Sequence, residues 1–233
     1  CEIFCDYKKG VHVKINKVAF FTFAEVTTTI EHYRVLSPLK HAGIEIINGV
    51  VDGEIKPLVI QECDLVLIQR DFARKFEDYL TISWIARSTG KPLVMDLDDN
   101  ILNLPKEHPD RISHYYASSL PGLLHALIDV DLVTVSTEHL KNDLIDINPN
   151  ISVLQNYFDP DLWDLKTNAT HQESDTKKIL YMGSHTHAAD IELVSDALVR
   201  VAKEAGNKVE FVFIGVKPPA HLEKFAKITH IEN

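Results

Sequence analysis

Cysteine is scarce in this chain, which argues against a secreted, disulfide-stabilised fold. The three cysteines, Cys1, Cys5 and Cys63, are few and odd in number, and they form no CxxC metal pattern. This usage is typical of a protein from a reducing compartment. No apolar run is long enough to span a bilayer, and no charged-then-apolar segment resembles a signal peptide. We therefore expect a cytoplasmic protein.

Positive charge is also in the minority. The 233 residues include 24 Lys and Arg against 34 Asp and Glu, which gives a formal net charge of -10. Nucleic-acid binding depends on clusters of Lys and Arg that neutralise phosphates. We therefore expect no nucleic acid among the main partners. A small anionic ligand in a local pocket is still compatible with this composition.

Several familiar catalytic motifs are missing. The chain contains no GxSxG elbow, GxxxxGK[ST] loop, HExxH or GxGxxG pattern. These absences argue against the commonest forms of hydrolase, nucleoside triphosphatase, zinc protease and dinucleotide-binding enzyme.

What the sequence does contain is a regular alternation of strands and helices. Continuous apolar runs predict strands that are parallel and covered on both faces, and apolar residues at helical spacing separate them. The helix predicted over residues 72–87 has an apolar face of Phe72, Phe76, Leu80 and Ile85. The predicted strands of the first part of the chain are 18–23, 44–47, 64–69, 92–97, 131–135 and 151–154.

The same rhythm predicts the domain organisation. Residues 16–156 form a Rossmann-like α/β domain, and residues 1–15 are an upstream remnant or an extra strand. Residues 157–177 are polar and aperiodic, which predicts a linker. A second α/β unit begins at residue 178 and runs to 233. Because the chain starts at Cys1 and stops soon after a strand, we expect a piece of a longer protein.

The second unit opens with a strand, a glycine turn and a helix. The turn is Gly183, Ser184, His185, Thr186 and His187, and Ser184 or Thr186 is placed to cap the helix. The N-terminus of a helix offers free N–H groups and a partial positive charge to an anion, and glycine lets the backbone approach closely. The turn therefore suits a phosphate or diphosphate. The alternative is an ordinary βα turn that binds nothing.

Acidic residues follow the predicted strand 92–97. The carboxyl ends of strands in an open parallel sheet face the ligand. Asp98 and Asp99 there could bind a metal, orient sugar hydroxyls or supply a general base. The alternative is that they cap and solvate a loop. Hydroxyl binding is favoured over metal binding, since no other oxygen-ligand cluster is visible.

Other polar residues are predicted at the same edge of the sheet. Arg70 could pair with a phosphate or with the acids, or form an ordinary surface ion pair with Asp71. Glu25, Tyr33 and Arg34 are placed to line the same crevice. His185 and His187 form an HxH pair that can ligate zinc, but the sequence indicates no third ligand. We expect no metal and no cofactor.

An ordered set of motifs is similar to those of one enzyme family. It consists of residues 33–39 (YRVLSPL), 64–70 (DLVLIQR), 92–100 (PLVMDLDDN), 131–137 (DLVTVST) and 181–190 (YMGSHTHAAD). Together they resemble bacterial glycosyltransferases of group 1 (family 4), which assemble surface polysaccharides. The resemblance covers residues 17–216.

The resemblance implies a GT-B fold, in which two Rossmann-like domains face a cleft. The first domain would bind a glycan or lipid-linked acceptor through Glu25, Tyr33, Arg34 and Arg70, with Asp98 and Asp99 as catalytic residues. The second, truncated here, would bind a nucleotide-sugar donor through residues 183–187 and Asp190. It also implies a place in the cytoplasm or at the inner face of the membrane, with peripheral membrane or multi-domain association.

Two family features are absent from this sequence. The Glu-x7-Glu donor stretch would lie beyond Asn233, and Ala24-Glu25-Val26 stands where a glycine-rich loop is common. The piece is therefore expected to be inactive alone even if the longer protein transfers sugar. The alternatives are a nucleotide-sugar epimerase and a non-catalytic module of a polysaccharide-assembly protein.

Overall fold

Short strands and helices alternate through most of the chain. The computed structural model describes residues 4–6, 11–23, 29–163 and 175–232. Its strands are β1 (Phe4–Asp6), β2 (Val11–Val13), β3 (Lys17–Phe21), β4 (Glu45–Asn48), β5 (Val50–Val51), β6 (Glu54–Ile55), β7 (Leu65–Gln69), β8 (Leu93–Leu97), β9 (Leu132–Val135), β10 (Ile151–Val153), β11 (Lys177–Gly183), β12 (Val209–Gly215) and β13 (Lys227–Ile231). Its α-helices are α1 (Thr29–Glu31), α2 (Ser37–His41), α3 (Phe76–Ser88), α4 (Pro109–Ile112), α5 (Leu120–Asp129), α6 (Glu138–Leu144) and α7 (Ala188–Ala205). A π-helical turn, His32–Leu36, joins α1 to α2.

Six parallel strands form the central sheet, in the order β10-β9-β8-β7-β3-β4. All residues of β7 and β8 are buried, which explains why these strands read as continuous apolar runs. The predicted α/β class with a Rossmann-like parallel sheet is confirmed. The chain adds β4 outside β3 and then places β7 on the other side of β3, so the direction of winding reverses between β3 and β7. Ligands of open α/β sheets bind at the carboxyl ends of the strands at such a switch point.

Two hydrophobic cores cover the two faces of this sheet. Successive residues of a strand point to opposite faces, and β3 shows the division. Val18 and Phe20 belong to one core, and Ala19 and Phe21 belong to the other. The same alternation divides β7 between the two cores. Burial on both sides fixes the register of the central strands and therefore the position of the residues at their ends.

The apolar face predicted for the helix over residues 72–87 is half correct, because Phe72 is buried and Ile85 packs against the core but Phe76 and Leu80 are exposed. Phe72 lies in a 3-10 turn before α3, and Phe76 and Leu80 are each more than one third exposed. A 3-10 turn has about three residues per turn instead of about 3.6, so it changes the angular position of the residues that follow. The residues that α3 buries are Tyr79, Ile82, Ser83 and Ala86.

The chain divides into two compact units. The first comprises Cys1–Lys106 and His114–Leu165, and the second comprises Glu107–Ser113 and Lys166–Asn233. Residues 157–163 of the predicted linker belong to the first unit, where Trp163 Nε1 donates a hydrogen bond to the Tyr33 hydroxyl at 2.8 Å. Residues 164–174 of that linker lie outside the described residues. Residues 1–15 were predicted to be an upstream remnant or an extra strand. Within them, β1 and β2 form a separate antiparallel pair.

The second unit contains a three-stranded parallel sheet in the order β11-β12-β13. Helix α7 and the 3-10 turn Leu222–Lys224 contribute Ile191, Val199 and Leu222 to a core with Phe211 and Phe213. The sequence patterns did not predict β13. In the part of the chain that the structure describes, no helix combines the length and apolarity that a membrane crossing requires.

Gly122 in α5 permits close contact with the backbone of the 3-10 turn before α3. A Cβ atom at position 122 would lie 2.2 Å from the Ala73 carbonyl oxygen. Replacing Gly122 with alanine is therefore expected to lower the free energy of unfolding by about 1–3 kcal/mol through overpacking, although alanine favours helix formation. Urea unfolding would measure this. Ser88→Ala at the exposed end of α3 is the control, with a change within about 0.5 kcal/mol. A Gly122→Ala chain as stable as the parent would contradict the contact.

Candidate functional site

Three polar side chains lie at or next to the ends of neighbouring strands of the six-stranded sheet. Gln69 of β7 pairs in register with Asp96 of β8, and Asp96 pairs with Thr134 of β9. Each follows buried apolar residues, because the strand cores pack against helices on both faces. The parallel register therefore brings amide, carboxylate and hydroxyl groups together at the carboxyl edge.

Arg34, from the π-helical turn, forms a buried ion pair with Asp96. The Arg34 Nη2 atom lies 2.6 Å from Asp96 Oδ1, and Nε lies 3.0 Å from Oδ2. Only 2% of each side chain is exposed. Gln69 Nε2 and Thr134 Oγ1 also donate to Asp96, at 3.3 Å and 2.7 Å. The buried carboxylate is thus neutralised and well supplied with donors, as burial of a charge requires.

The same guanidinium joins the sheet to the chain that follows β10. Arg34 Nη1 donates to the Leu154 carbonyl and to Asn156 Oδ1, the latter at 3.1 Å. The sequence analysis predicted that Arg34 lines the acceptor side of the cleft. The structure instead buries it beneath the carboxyl edge of the sheet, where it is a structural residue. We call Arg34, Gln69, Arg70, Asp96, Asp98 and Asp99 the carboxyl-edge cluster.

Arg70 follows β7 in an uncommon backbone conformation. Its φ of +50° lies in the left-handed region, which costs a non-glycine residue about 1–2 kcal/mol. Strain of this kind is concentrated at functional sites. Arg70 Nε lies 3.3 Å from Asp98 Oδ1, and Nη2 lies 3.8 Å from Asp99 Oδ2. Nη2 also lies 3.4 Å from the Tyr116 hydroxyl. The structure thus brings Arg70 together with both predicted acids.

Asp98 and Asp99 have different environments. The Asp98 side chain is 11% exposed and that of Asp99 is 65% exposed. Burial raises the pKa of the Asp98 carboxyl above its ordinary value, while the positive charge of Arg70 opposes this. Within the described residues, Gln69 Oε1 is buried without a hydrogen-bond donor, and buried Asp98 Oδ1 faces Arg70 Nε as an ion pair but accepts no hydrogen bond of good geometry. Both oxygens keep the capacity to accept a hydrogen bond.

Two other residues predicted for the acceptor side, Glu25 and Tyr33, are not part of the carboxyl-edge cluster as the structure describes it. Glu25 lies outside the described residues. The Tyr33 hydroxyl accepts the hydrogen bond from Trp163, so it is directed toward the chain after β10. The sequence analysis did not assign roles to Gln69, Asp96 or Thr134. The sequence feature that could have identified them is a polar residue at or near the end of each predicted apolar strand.

The predicted donor turn lies between β11 and α7. Gly183 ends β11, and His185–His187 form a 3-10 turn before the helix. The prediction that Ser184 or Thr186 caps α7 is wrong. The two hydroxyls bond to each other at 2.5 Å, and His187 stands at the N-cap position. No described side chain caps the helix, so its first-turn N–H groups are left for another partner.

His187 is held by Asp190 of the first turn of α7. The distance from His187 Nδ1 to Asp190 Oδ2 is 2.8 Å. A carboxylate can only accept here, so Nδ1 donates and the Nε2 edge of the ring is left for a ligand. Gly183 lies beside this pair, because a Cβ at position 183 would lie 3.4 Å from His187 Cδ2 and 3.1 Å from Tyr181 Cε1. Three of the predicted donor residues, Gly183, His187 and Asp190, are therefore neighbours.

A groove of about 470 Å³ lies in the second unit. It is lined by Lys217, Pro218, Ala220, Glu223, Ala226, Ile228 and His230. Gly183 of β11 pairs in register with Gly215 of β12, and Lys217 follows two residues later. The groove thus begins at the same carboxyl edge as the turn. Its volume is within the range of small-molecule sites.

Comparison with known proteins gives a limited result. No protein-family model matches the chain, and no curated protein matches it. One of the solved structures that are similar to it is a C2-type ketoreductase from a modular polyketide synthase, with 11% sequence identity and a TM-score of 0.31. The match covers 93% of this chain and 56% of the ketoreductase chain. A similarity of this size carries no argument about activity.

Proposed function

We propose that the chain is part of a glycosyltransferase with a GT-B arrangement of two Rossmann-like domains. It would transfer a sugar from a nucleotide diphosphate sugar to a glycan or lipid-linked acceptor in surface-polysaccharide synthesis. The second unit binds the donor and the first binds the acceptor. The reaction takes place in the cytoplasm, and at the inner face of the membrane if the acceptor is lipid-linked.

The turn before α7 is the observation that carries this proposal. Helix α7 has 18 residues, and its N-terminus follows a glycine turn without a described side-chain cap. Free N–H groups and the helix dipole favour a diphosphate at this position. As an imidazolium, His187 is held by Asp190 through Nδ1 and presents its Nε2–H as a donor on the same turn. As the sugar leaves, negative charge develops on the diphosphate, and these groups stabilise it.

The carboxyl-edge cluster supports an acceptor hydroxyl on the first unit. Gln69 Oε1 and Asp98 Oδ1, which faces only the ion-pair partner Arg70 Nε, would accept hydrogen bonds from a sugar hydroxyl. A carboxylate whose pKa is raised by burial holds a proton more strongly, which makes Asp98 a better general base. Arg70 keeps that carboxylate in place.

The proposed reaction uses these groups in one balanced exchange. The acceptor hydroxyl oxygen forms a bond to the anomeric carbon of the donor sugar. The bond from that carbon to the diphosphate oxygen breaks, and its electron pair stays with the diphosphate. Asp98 takes the hydroxyl proton.

Nucleotide binding to this chain is the direct test. In calorimetric titrations with UDP, GDP, dTDP and CMP, we expect one nucleotide to bind and His187→Ala to weaken that binding about tenfold, by about 1.4 kcal/mol, a typical loss for a hydrogen bond to a charged group. Lys203→Ala, which removes a charge from the last turn of α7, is the matched control and should bind as the parent does. Equal affinity in His187→Ala would show that the turn is not the donor site.

Product analysis then distinguishes sugar transfer from the other candidates. The full-length protein is incubated with the preferred donor and a lipid-linked or glycan acceptor. Transfer that requires both substrates supports the proposal. A donor epimer formed without acceptor would identify an epimerase, and binding without turnover would identify a non-catalytic module.

A further inference from the structure

We propose that His41, Asp159 and Asp161 form a binding site for Zn²⁺ in the first unit. Among the described residues, these three form the one group of metal-ligating side chains whose ligand atoms all lie within 4.8 Å of one another. His41 is the last residue of α2, and the two aspartates lie in the chain after β10. This site is separate from the carboxyl-edge cluster and does not depend on the proposed sugar transfer.

The His41 ring is oriented as a metal ligand. Its Nδ1 atom lies 2.9 Å from the Ser37 carbonyl oxygen. Because a carbonyl oxygen can only accept, Nδ1 carries the proton and Nε2 has the free lone pair. That Nε2 atom lies 3.9 Å from Asp161 Oδ2. Histidine ligands in metal sites commonly donate their second ring N–H to a backbone carbonyl in this way.

Asp159 supplies a fixed carboxylate. Its side chain is 4% exposed. Asp159 Oδ1 accepts from the Asp161 backbone N–H at 2.8 Å, and Oδ2 lies 2.7 Å from His32 Nε2. Each oxygen has a further lone pair for a metal.

Two of the ligand side chains already have partners that a cation would compete with, and one of these is His32, whose Nε2 lies 2.7 Å from Asp159 Oδ2. An imidazole lone pair and two carboxylates face one another, and the Lys40 ammonium lies 2.8 Å from Asp161 Oδ2. The Lys40 side chain is 72% exposed, and ion pairs at such exposure are weak. A divalent cation can therefore displace Lys40 from Asp161, while the ammonium returns to water.

The ligand set indicates the kind of cation. One imidazole nitrogen with two carboxylate oxygens suits Zn²⁺, whereas Mg²⁺ and Ca²⁺ prefer oxygen ligands alone. His41 and Asp161 are partly exposed, which leaves a fourth position for water. A bound ion would connect α2 to the chain after β10, so its effect is to stabilise the first unit.

Zinc titration of the chelator-treated chain tests the site. We expect His41→Ala and Asp161→Asn each to lower Zn²⁺ affinity at least about tenfold, the lower limit for disturbing a metal ligand's support. Lys40→Ala should raise it, because the competing ammonium is gone. His139→Ala is the matched control, since His139 forms a similar exposed pair with Asp143 at 4.0 Å but without a third ligand. Its affinity should equal that of the parent.

Thermal unfolding gives a second readout that does not depend on activity. Ligand that binds only the folded state raises the midpoint, so Zn²⁺ should raise Tm in the parent and in His139→Ala, but much less in Asp161→Asn. Both altered ligands are partly exposed, and circular dichroism would verify that the variants fold. The site is refuted if the parent binds no Zn²⁺ at micromolar concentration, or if His41→Ala and Asp161→Asn bind it as the parent does.

Discussion

Replacing Arg34 with alanine is expected to lower the free energy of unfolding by about 3–5 kcal/mol, the usual cost of removing one partner from a buried ion pair. The change leaves the Asp96 carboxylate buried with only Gln69 and Thr134 as donors. It also removes the contacts that join the sheet to Leu154 and Asn156. Urea unfolding at neutral pH, followed by circular dichroism, would measure the loss.

Arg87→Ala is the matched control for this prediction. Arg87 Nη2 lies 2.7 Å from Asp129 Oδ1, a similar distance, but the Arg87 side chain is 49% exposed. An exposed pair of this kind contributes about 0–1 kcal/mol. If the two variants lose the same stability, burial does not determine the importance of the Arg34–Asp96 pair. A double-mutant cycle with Arg34→Met and Asp96→Leu should show strong coupling, because both changes act on one network.

Replacing Asp98 with asparagine in the full-length protein is expected to lower kcat for sugar transfer about 10²- to 10⁴-fold, the usual contribution of a general base. This expectation depends on the proposed function. The asparagine preserves the size of the side chain and removes its ability to take a proton. Donor affinity, measured by calorimetry, should change little, because the donor turn lies in the other unit.

Asp99→Asn is the control for the Asp98 prediction. Asp99 is adjacent in sequence and also faces Arg70, but its side chain is largely exposed and its distance to Arg70 Nη2 is 3.8 Å. We expect its kcat to fall by less than about tenfold, or about 1.4 kcal/mol. Equal losses in both variants would mean that the two acids act through Arg70 alone. Wild-type rates in both would make them structural residues.

Several local features could be predicted because neighbouring residues determine them. Threonine is a common N-cap residue, and the Thr137 side chain, which precedes α6, accepts from the Leu140 N–H at 3.1 Å. Glycine is common just after a helix, and Gly43, which follows α2, has a φ of +70° that glycine adopts easily. A helix cap or a glycine turn involves only a few consecutive residues, so the local sequence is enough to predict it.

Features that depend on distant residues were predicted less well. The apolar face predicted for α3 was only half correct, because a 3-10 turn replaces the predicted first turn and because Tyr79 is buried with its hydroxyl 2.7 Å from Asp129. The role of Arg34 was also missed. Its partner Asp96 is 62 residues away, and only the order of the strands brings the two together.

The sequence by itself determined the α/β class, the parallel character of the main sheet and the positions of most of its strands. A continuous apolar run forms a strand that must be buried on both faces, and the residues of each strand alone show this pattern. Only the tertiary structure decided which polar residues meet. Strand order and register placed Gln69, Asp96 and Thr134 side by side, buried Asp98 and left Asp99 exposed. Such contacts join residues far apart in the chain, so their geometry exists only once the sheet and the helices that cover it have packed.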